Sequence, residues 1–224
     1  MVTYPSVAIA VTYPLRQNQL PKGKTMAYGT NAPNGLRPVK KLDGSAWTGQ
    51  TNSYPIASGY ATSLFKGDPV TVLADGTLGI GVAGSAIVGV FWGCQYIPAA
   101  GGLPVNSPYW PASTTTQNGA VATAFVIDDP NVLFTIQETN GAGAAGTPLA
   151  LTDVGLNANF AVGTGSTATG NSGAPIDNTT ENTTATLNLK ILGLDPYPGN
   201  AVGNFANWLV TLQNHRYRSG VAGV

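Results

Sequence analysis

Apolar and polar positions alternate over short runs separated by Gly, Pro, Asn and Asp, the period-2 pattern of β-strands. Asp68-Pro69-Val70-Thr71-Val72-Leu73 reads as a strand, and Ala74-Asp75-Gly76-Thr77 as a hairpin-type turn after it. Ala86–Tyr96 is a β-branched and aromatic run punctuated by Gly89 and Gly93, which permit a bulge or a close backbone approach. Ala122–Ile127 and Val132–Glu138 flank Asp128-Asp129-Pro130-Asn131. That arrangement predicts a hairpin, with Phe125, Ile127, Phe134 and Ile136 as its alternating apolar positions. Thr186–Leu194 and Asn207–Gln213 predict two further strands, the last with Trp208, Val210 and Leu212 on one face. No stretch sustains a 3.6-residue period, and 29 Gly and 16 Pro argue against long helices. The predicted fold is all-β, an antiparallel barrel or sandwich with an extended N-terminal arm.

The arm is residues 1–35. Pro5, Pro14, Pro21 and Pro33 remove backbone donors and disfavour helix. Val2-Thr3-Tyr4-Pro5 recurs as Val11-Thr12-Tyr13-Pro14: either two equivalent docking strands anchored by Tyr4 and Tyr13, or coincidence. Fully extended, about 30 residues span roughly 100 Å, enough to reach a neighbouring subunit. Residues 36–213 form the β-rich body and 214–224 a C-terminal tail. Within the body, 19 of the 30 residues at 157–186 are Thr, Asn, Ser or Gly. Such composition suits a linker. Inside a compact domain it predicts an ordered surface loop or short edge strands, held by side chain–backbone hydrogen bonds.

Composition changes the picture. Hydrophobic residues make up 43% of the 224, enough for a core. Charged residues are only 9%, against about 25% in ordinary domains. A free monomer usually leans on surface charge for solubility, so the scarcity points to a component of an assembly. Ten cations balance ten acids, but they are segregated. Residues 1–66 hold seven cations (Arg16, Lys22, Lys24, Arg37, Lys40, Lys41, Lys66) and Asp43, a sum of +6. Residues 67–189 hold eight acids and no cation, −8, and residues 190–224 hold three cations and Asp195, +2. A basic N-terminal segment that docks onto acidic surface, its own or a neighbour's, fits this order. Chance in a charge-poor chain is the alternative.

Candidate chemistry is sparse. Gly79-Ile80-Gly81-Val82-Ala83-Gly84 matches G-x-G-x-x-G, but a strand-like run follows where a dinucleotide site needs a helix. Asp128 and Asp129 suit a turn before Pro130 better than acid–base work. Cys94, the single cysteine, sits in an apolar run and reads as a buried thiol. His215, the single histidine, excludes a His-based metal cluster, and no G-x-S-x-G elbow occurs. Asn178-Thr179-Thr180 and Asn182-Thr183-Thr184 match the glycosylation pattern, which without a secretory signal marks a polar exposed loop. No apolar run reaches about 18 residues, so no membrane span or membrane partner is expected. His215-Arg216-Tyr217-Arg218 forms a basic, aromatic patch better suited to an acidic protein surface than to nucleic acid. No enzymatic role, cofactor or metal is expected.

Several of these segments occur in a familiar order. They are Asn34-Gly35-Leu36-Arg37-Pro38-Val39, Leu64-Phe65-Lys66-Gly67-Asp68-Pro69-Val70, Ala86-Ile87-Val88-Gly89-Val90-Phe91, Tyr109-Trp110-Pro111-Ala112, Asp128-Asp129-Pro130 and Asn214-His215-Arg216-Tyr217-Arg218. The series, over about residues 34–218, resembles the capsid decoration (cement) proteins of tailed bacteriophages. The resemblance implies an all-β oligomeric module on the outside of an icosahedral head, made in the bacterial host cytoplasm. It implies binding where major capsid proteins meet, and self-association, as a trimer in the first place or a dimer. It implies no catalytic residues and no direct nucleic-acid partner. Tyr4, Tyr13, Arg16, Lys22 and Lys24 of the arm, with Arg37, Lys40 and Lys41 at its junction, are the expected capsid or subunit contacts. His215, Arg216, Tyr217 and Arg218 are the expected C-terminal contact. A tail or shell protein is the alternative, as is a carbohydrate-binding β-module with Trp47, Trp92, Trp110 or Trp208 as platforms.

Overall fold

The computed structural model describes residues 29–218. In chain order the strands are β1 (Arg37–Lys41), β2 (Asn52–Ile56), β3 (Leu64–Phe65), β4 (Pro69–Val72), β5 (Leu78–Ile80), β6 (Gly89–Tyr96) and β7 (Val105–Ser107). There follow β8 (Tyr109–Trp110), β9 (Ala122–Ile127), β10 (Val132–Thr139), β11 (Asn157–Ala158), β12 (Ile176–Asp177), β13 (Leu189–Leu194) and β14 (Asn207–Leu212). One six-stranded sheet runs β1-β10-β14-β13-β11, with β12 added parallel to β10. A second runs β2-β9-β6-β4-β5, with β7 on β6, and β3 and β8 form a ribbon. Two packed antiparallel sheets make a sandwich; no closed barrel forms among the described residues.

Two cores explain the strand sequences. Phe134, Ile136, Ile191, Trp208, Val210 and Leu212 of the first sheet meet Ile87, Val90 and Ile127 of the second. On its other face the second sheet buries Val70, Leu78, Val88, Phe91, Ala124 and Val126, with Leu64 and Trp110. Neighbours in sequence therefore point into different cores: Val90 and Ile127 into one, Phe91 and Val126 into the other. A sheet buried on both faces reads as a continuous apolar run, as Ile87–Phe91 does. Each fully buried large aliphatic or aromatic side chain contributes about 1.5–3 kcal/mol.

Gly89 and Gly93 have the expected roles. A Cβ at Gly89 would collide with the Ile127 carbonyl. The β6/β9 register shifts between Phe91 and Gly93, leaving Trp92 as the bulged residue.

Four expectations need correction. First, Asp128–Asn131 is not a hairpin, because β9 lies in the second sheet and β10 in the first. Asp129 closes a crossing turn: its carbonyl accepts Val132 N–H (3.1 Å) and its Oδ1 accepts Asn131 N–H (2.9 Å). Ile127 and Val132 on either side enter the same inter-sheet core. Phe125 is only half-buried, since β9 faces the second core with the small residues Ala122, Ala124 and Val126.

Second, 157–186 is ordered, but it is more than a surface loop. Phe160, Ala174 and Ile176 are fully buried. Asn178 is buried too, donating to the Ala145 carbonyl (2.9 Å), whereas Asn182 is exposed. Third, the end of the predicted arm belongs to the body. Ala32 N–H donates to Gln137 Oε1 (2.8 Å), Gln137 Nε2 donates to the Thr30 carbonyl (3.1 Å), and Gly35 is buried. Fourth, 214–218 is no free tail. Ile87 N–H donates to the Asn214 carbonyl (3.0 Å) and Arg216 N–H to the Ile87 carbonyl (2.8 Å).

Candidate functional site

Two of the motifs that carry the resemblance meet in space. Leu36 N–H donates to the Gly67 carbonyl (2.9 Å), joining the segment before β1 to the one before β4. Only glycine fits the close approach. Gly35 has φ +69°, and a Cβ there would stand 2.6 Å from the Gly67 carbonyl oxygen and from Ser172 Cβ. Gly67, at φ +101°, donates to the Phe91 carbonyl (2.8 Å). A third segment closes the junction: Lys66 N–H donates to the Gly170 carbonyl and Ser172 N–H to the Lys66 carbonyl, both at 2.9 Å.

Asp68 is the polar anchor. Its Oδ2 accepts Phe65 N–H (2.7 Å), and its Oδ1 accepts the Ser172 hydroxyl, which itself accepts Ala174 N–H (2.9 Å). Burial pushes the Asp68 carboxyl up to about 6 against these hydrogen bonds.

Above the anchor lies a cationic and aromatic cluster. Lys66 Nζ sits 3.8 Å over the Trp92 ring, and Trp92 meets Trp47 edge-to-face at 5.1 Å. The bulge at Trp92 and the loop after β1 place these two rings against the inter-sheet core. Arg37 Nε donates to the Asn34 carbonyl (2.9 Å) and one Nη donates to Asn34 Oδ1 (3.1 Å). Burial lowers the pKa of both cations, and the charge of Arg37 lowers that of Lys66 further. Among the described residues no carboxylate stands within 4 Å of either.

The other predicted contacts converge on the crossing turn. Lys41 Nζ pairs with Asp129 at 3.2 Å, so part of the expected basic-on-acidic docking occurs within the molecule. Asn52 Nδ2 donates to both oxygens of Asp128 (2.9 Å), and Tyr54 donates to Oδ2 (2.7 Å). The Tyr54 and Tyr217 hydroxyls are hydrogen-bonded. Arg218 donates to the Pro130 carbonyl (2.7 Å) and to Thr211 Oγ1 (3.3 Å). His215 is fully buried and accepts Tyr217 N–H at Nδ1 (3.1 Å). Burial first, then the Arg218 charge, push it down to about 4, which keeps it neutral. Within the C-terminal group, Tyr217 is exposed, Arg216 and Arg218 are half-buried, and His215 presents no surface. Lys40 is exposed on β1, an edge strand. Tyr4, Tyr13, Arg16, Lys22 and Lys24 lie outside the described residues.

The remaining motifs have structural places. Gly79–Gly84 spans the end of β5 and the following turn, and no helix succeeds it. Burial pushes Cys94 up to about 12, which keeps it a thiol, donating to the Tyr109 carbonyl (3.4 Å). Trp110 and Trp208 are fully buried and offer no platform to a sugar. No group of three or more His, Cys, Asp or Glu among the described residues is placed to hold a metal.

The pairing of Lys66 with Trp92 is absent from the sequence reading, although Lys66 stands in a quoted motif. Its signal was a lone cation between Phe65 and Gly67, in a strand-rich stretch with no acid to pair with until Asp68. Comparison with family models, curated proteins and solved structures finds no match for this chain.

Proposed function

We propose that this chain is a structural virion protein of the decoration (cement) type. It binds the outside of a tailed-phage head and stabilises contacts between major capsid proteins, as a homo-oligomer. The observation that supports the reading best is the convergence of motifs 34–39 and 64–70 at the base of the predicted arm. They create a hydrogen-bonded junction that holds Arg37 and Lys66 with no carboxylate partner among the described residues. The adjoining β1 has Pro38, a bulge between Pro38 and Lys40, and two lysines. Such features block strand addition at an edge, so contact through β1 uses side-chain charge.

Purified full-length chain mixed with undecorated tailed-phage heads tests this by cryo-EM. Added density on the outer surface at subunit junctions is expected. A chain that stays monomeric and leaves no density on the head overturns the reading. A tail location of the chain in intact particles, or glycan binding lost on Trp47→Ala, marks the two alternatives.

A further inference from the structure

We infer that Arg37 and Lys66 together form a docking site for a carboxylate side chain of a partner protein. The inference rests on the function proposed above and supplies the chemistry of its contact.

The two cations are far apart in sequence; the Leu36–Gly67 hydrogen bond (2.9 Å) joins the segments that carry them, and the charge of Arg37 is felt at Lys66. Both are drawn partly out of water, with the pKa consequences described. Like charges held together in that way cost free energy that a shared anion removes. The counter-charge comes from outside the chain's own described fold, since no carboxylate there lies within 4 Å of either cation. Arg37 spends Nε and one Nη on Asn34 and keeps its other Nη for a ligand. A guanidinium donor beside an ammonium suits the two oxygens of a carboxylate.

Other anionic ligands fit less well. Trp92 is not a stacking platform, because Lys66 covers it at 3.8 Å, Trp47 abuts it and the inter-sheet core holds the rest. A nucleobase or a sugar therefore finds no free ring face at Trp92. Residues 29–218 carry seven cations and ten acids, a net of −3, opposite to the field that attracts nucleic acid.

The test titrates hexa-L-glutamate into the full chain at low ionic strength, where ion pairs are least screened. Tryptophan emission is the readout, and inorganic phosphate and oligothymidylate are the competing probes. Hexaglutamate is expected to give a saturable change. Arg37→Gln and Lys66→Gln each weaken it at least tenfold with the far-UV circular dichroism of the fold retained, while Lys190→Gln has no effect. No saturable response, an undiminished response in the double variant, or tighter binding of oligothymidylate or phosphate overturns the inference. Capsid decoration without hexaglutamate binding overturns this inference alone. Hexaglutamate binding without decoration overturns the virion reading alone.

Discussion

Buried ionisable residues give this fold a pH dependence with opposing parts. Asp68, raised from about 4 to about 6, holds its proton more tightly in the fold than in the unfolded chain. Its contribution is full below about pH 4 and is lost as pH rises through 6, a change of about 3 kcal/mol. Glu138, fully buried with Oε2 accepting Leu149 N–H (2.8 Å), acts in the same direction up to about pH 7. His215 opposes both. Held at about 4, it stabilises the fold above its ordinary value of about 6.5, and that contribution is lost as pH falls toward 4. Thermal midpoints measured from pH 4 to 7 are expected to vary less with pH in Asp68→Asn, whose amide can still serve Phe65 and Ser172. In His215→Asn the decline toward pH 7 becomes steeper; an unchanged slope in both variants contradicts the assignment. Gly35→Ala tests the motif junction by itself. With φ +69° and contacts at 2.6 Å on backbone and Ser172, it is expected to lose more than about 2 kcal/mol in urea unfolding. Gly44→Ala, equally left-handed at φ +87° but open to space, is expected to lose about 1 kcal/mol.

At the level of elements, β4, β6, β9, β10, β13 and β14 were legible, while β1, β2, most of the shorter strands and one connection were not. Trp208, Val210 and Leu212 alternate in β14 and are all buried, as local periodicity requires. The turn at Asp128–Asn131 has the same local chemistry in a hairpin as in a crossing between sheets. What decides is that Ile127 and Val132 enter a core completed by Trp208 and Ile191, from strands far along the chain. No window of sequence holds that information. The C-terminal segment eluded the pattern for the same reason: 214–218 has no strand periodicity, yet it pairs with Ile87 and seats His215. Ending the chain at Gln213 leaves the buried Ile87 N–H and C=O unpaired and opens a cavity where His215 lay. The expected loss is about 3–5 kcal/mol, from unpaired groups plus the cavity. Tyr217→Phe removes only the hydroxyl contact with Tyr54 and is expected to cost less than about 1 kcal/mol. Urea midpoints of the two variants separate the cases, and near-equal midpoints mean that 214–218 is a tail after all.

For the whole molecule, the zero net charge is a balance between two unlike parts. Residues 29–218 sum to −3, and the three cations Arg16, Lys22 and Lys24 outside them restore neutrality. The charge segregation was legible in the sequence, but the ownership of each charge was not. Lys41 is taken by Asp129, whereas Arg218 is held in place by the Pro130 carbonyl and Thr211 Oγ1 without its charge being neutralised. Arg37 and Lys66 have no carboxylate within 4 Å among the described residues, and the junction that holds them is built from three distant segments. The boundary of the arm moves with this. Thr30 and Ala32 are fastened to Gln137, so a cut after residue 33 removes contacts of the body and the arm proper ends before Thr30. The chain lacking residues 1–28 keeps every described contact of the body and is expected to fold, which a cooperative urea transition checks. It is also expected to lose affinity for heads, or oligomer stability, because three cations are gone. Binding of the full chain is expected to fall with added salt, since the Debye length shrinks from about 10 Å at 0.1 M to about 3 Å at 1 M. Co-sedimentation with heads at several salt concentrations measures both effects. A truncated chain that decorates heads as tightly as the full chain, with the same salt response, assigns the contact to the body alone and removes the arm from the mechanism.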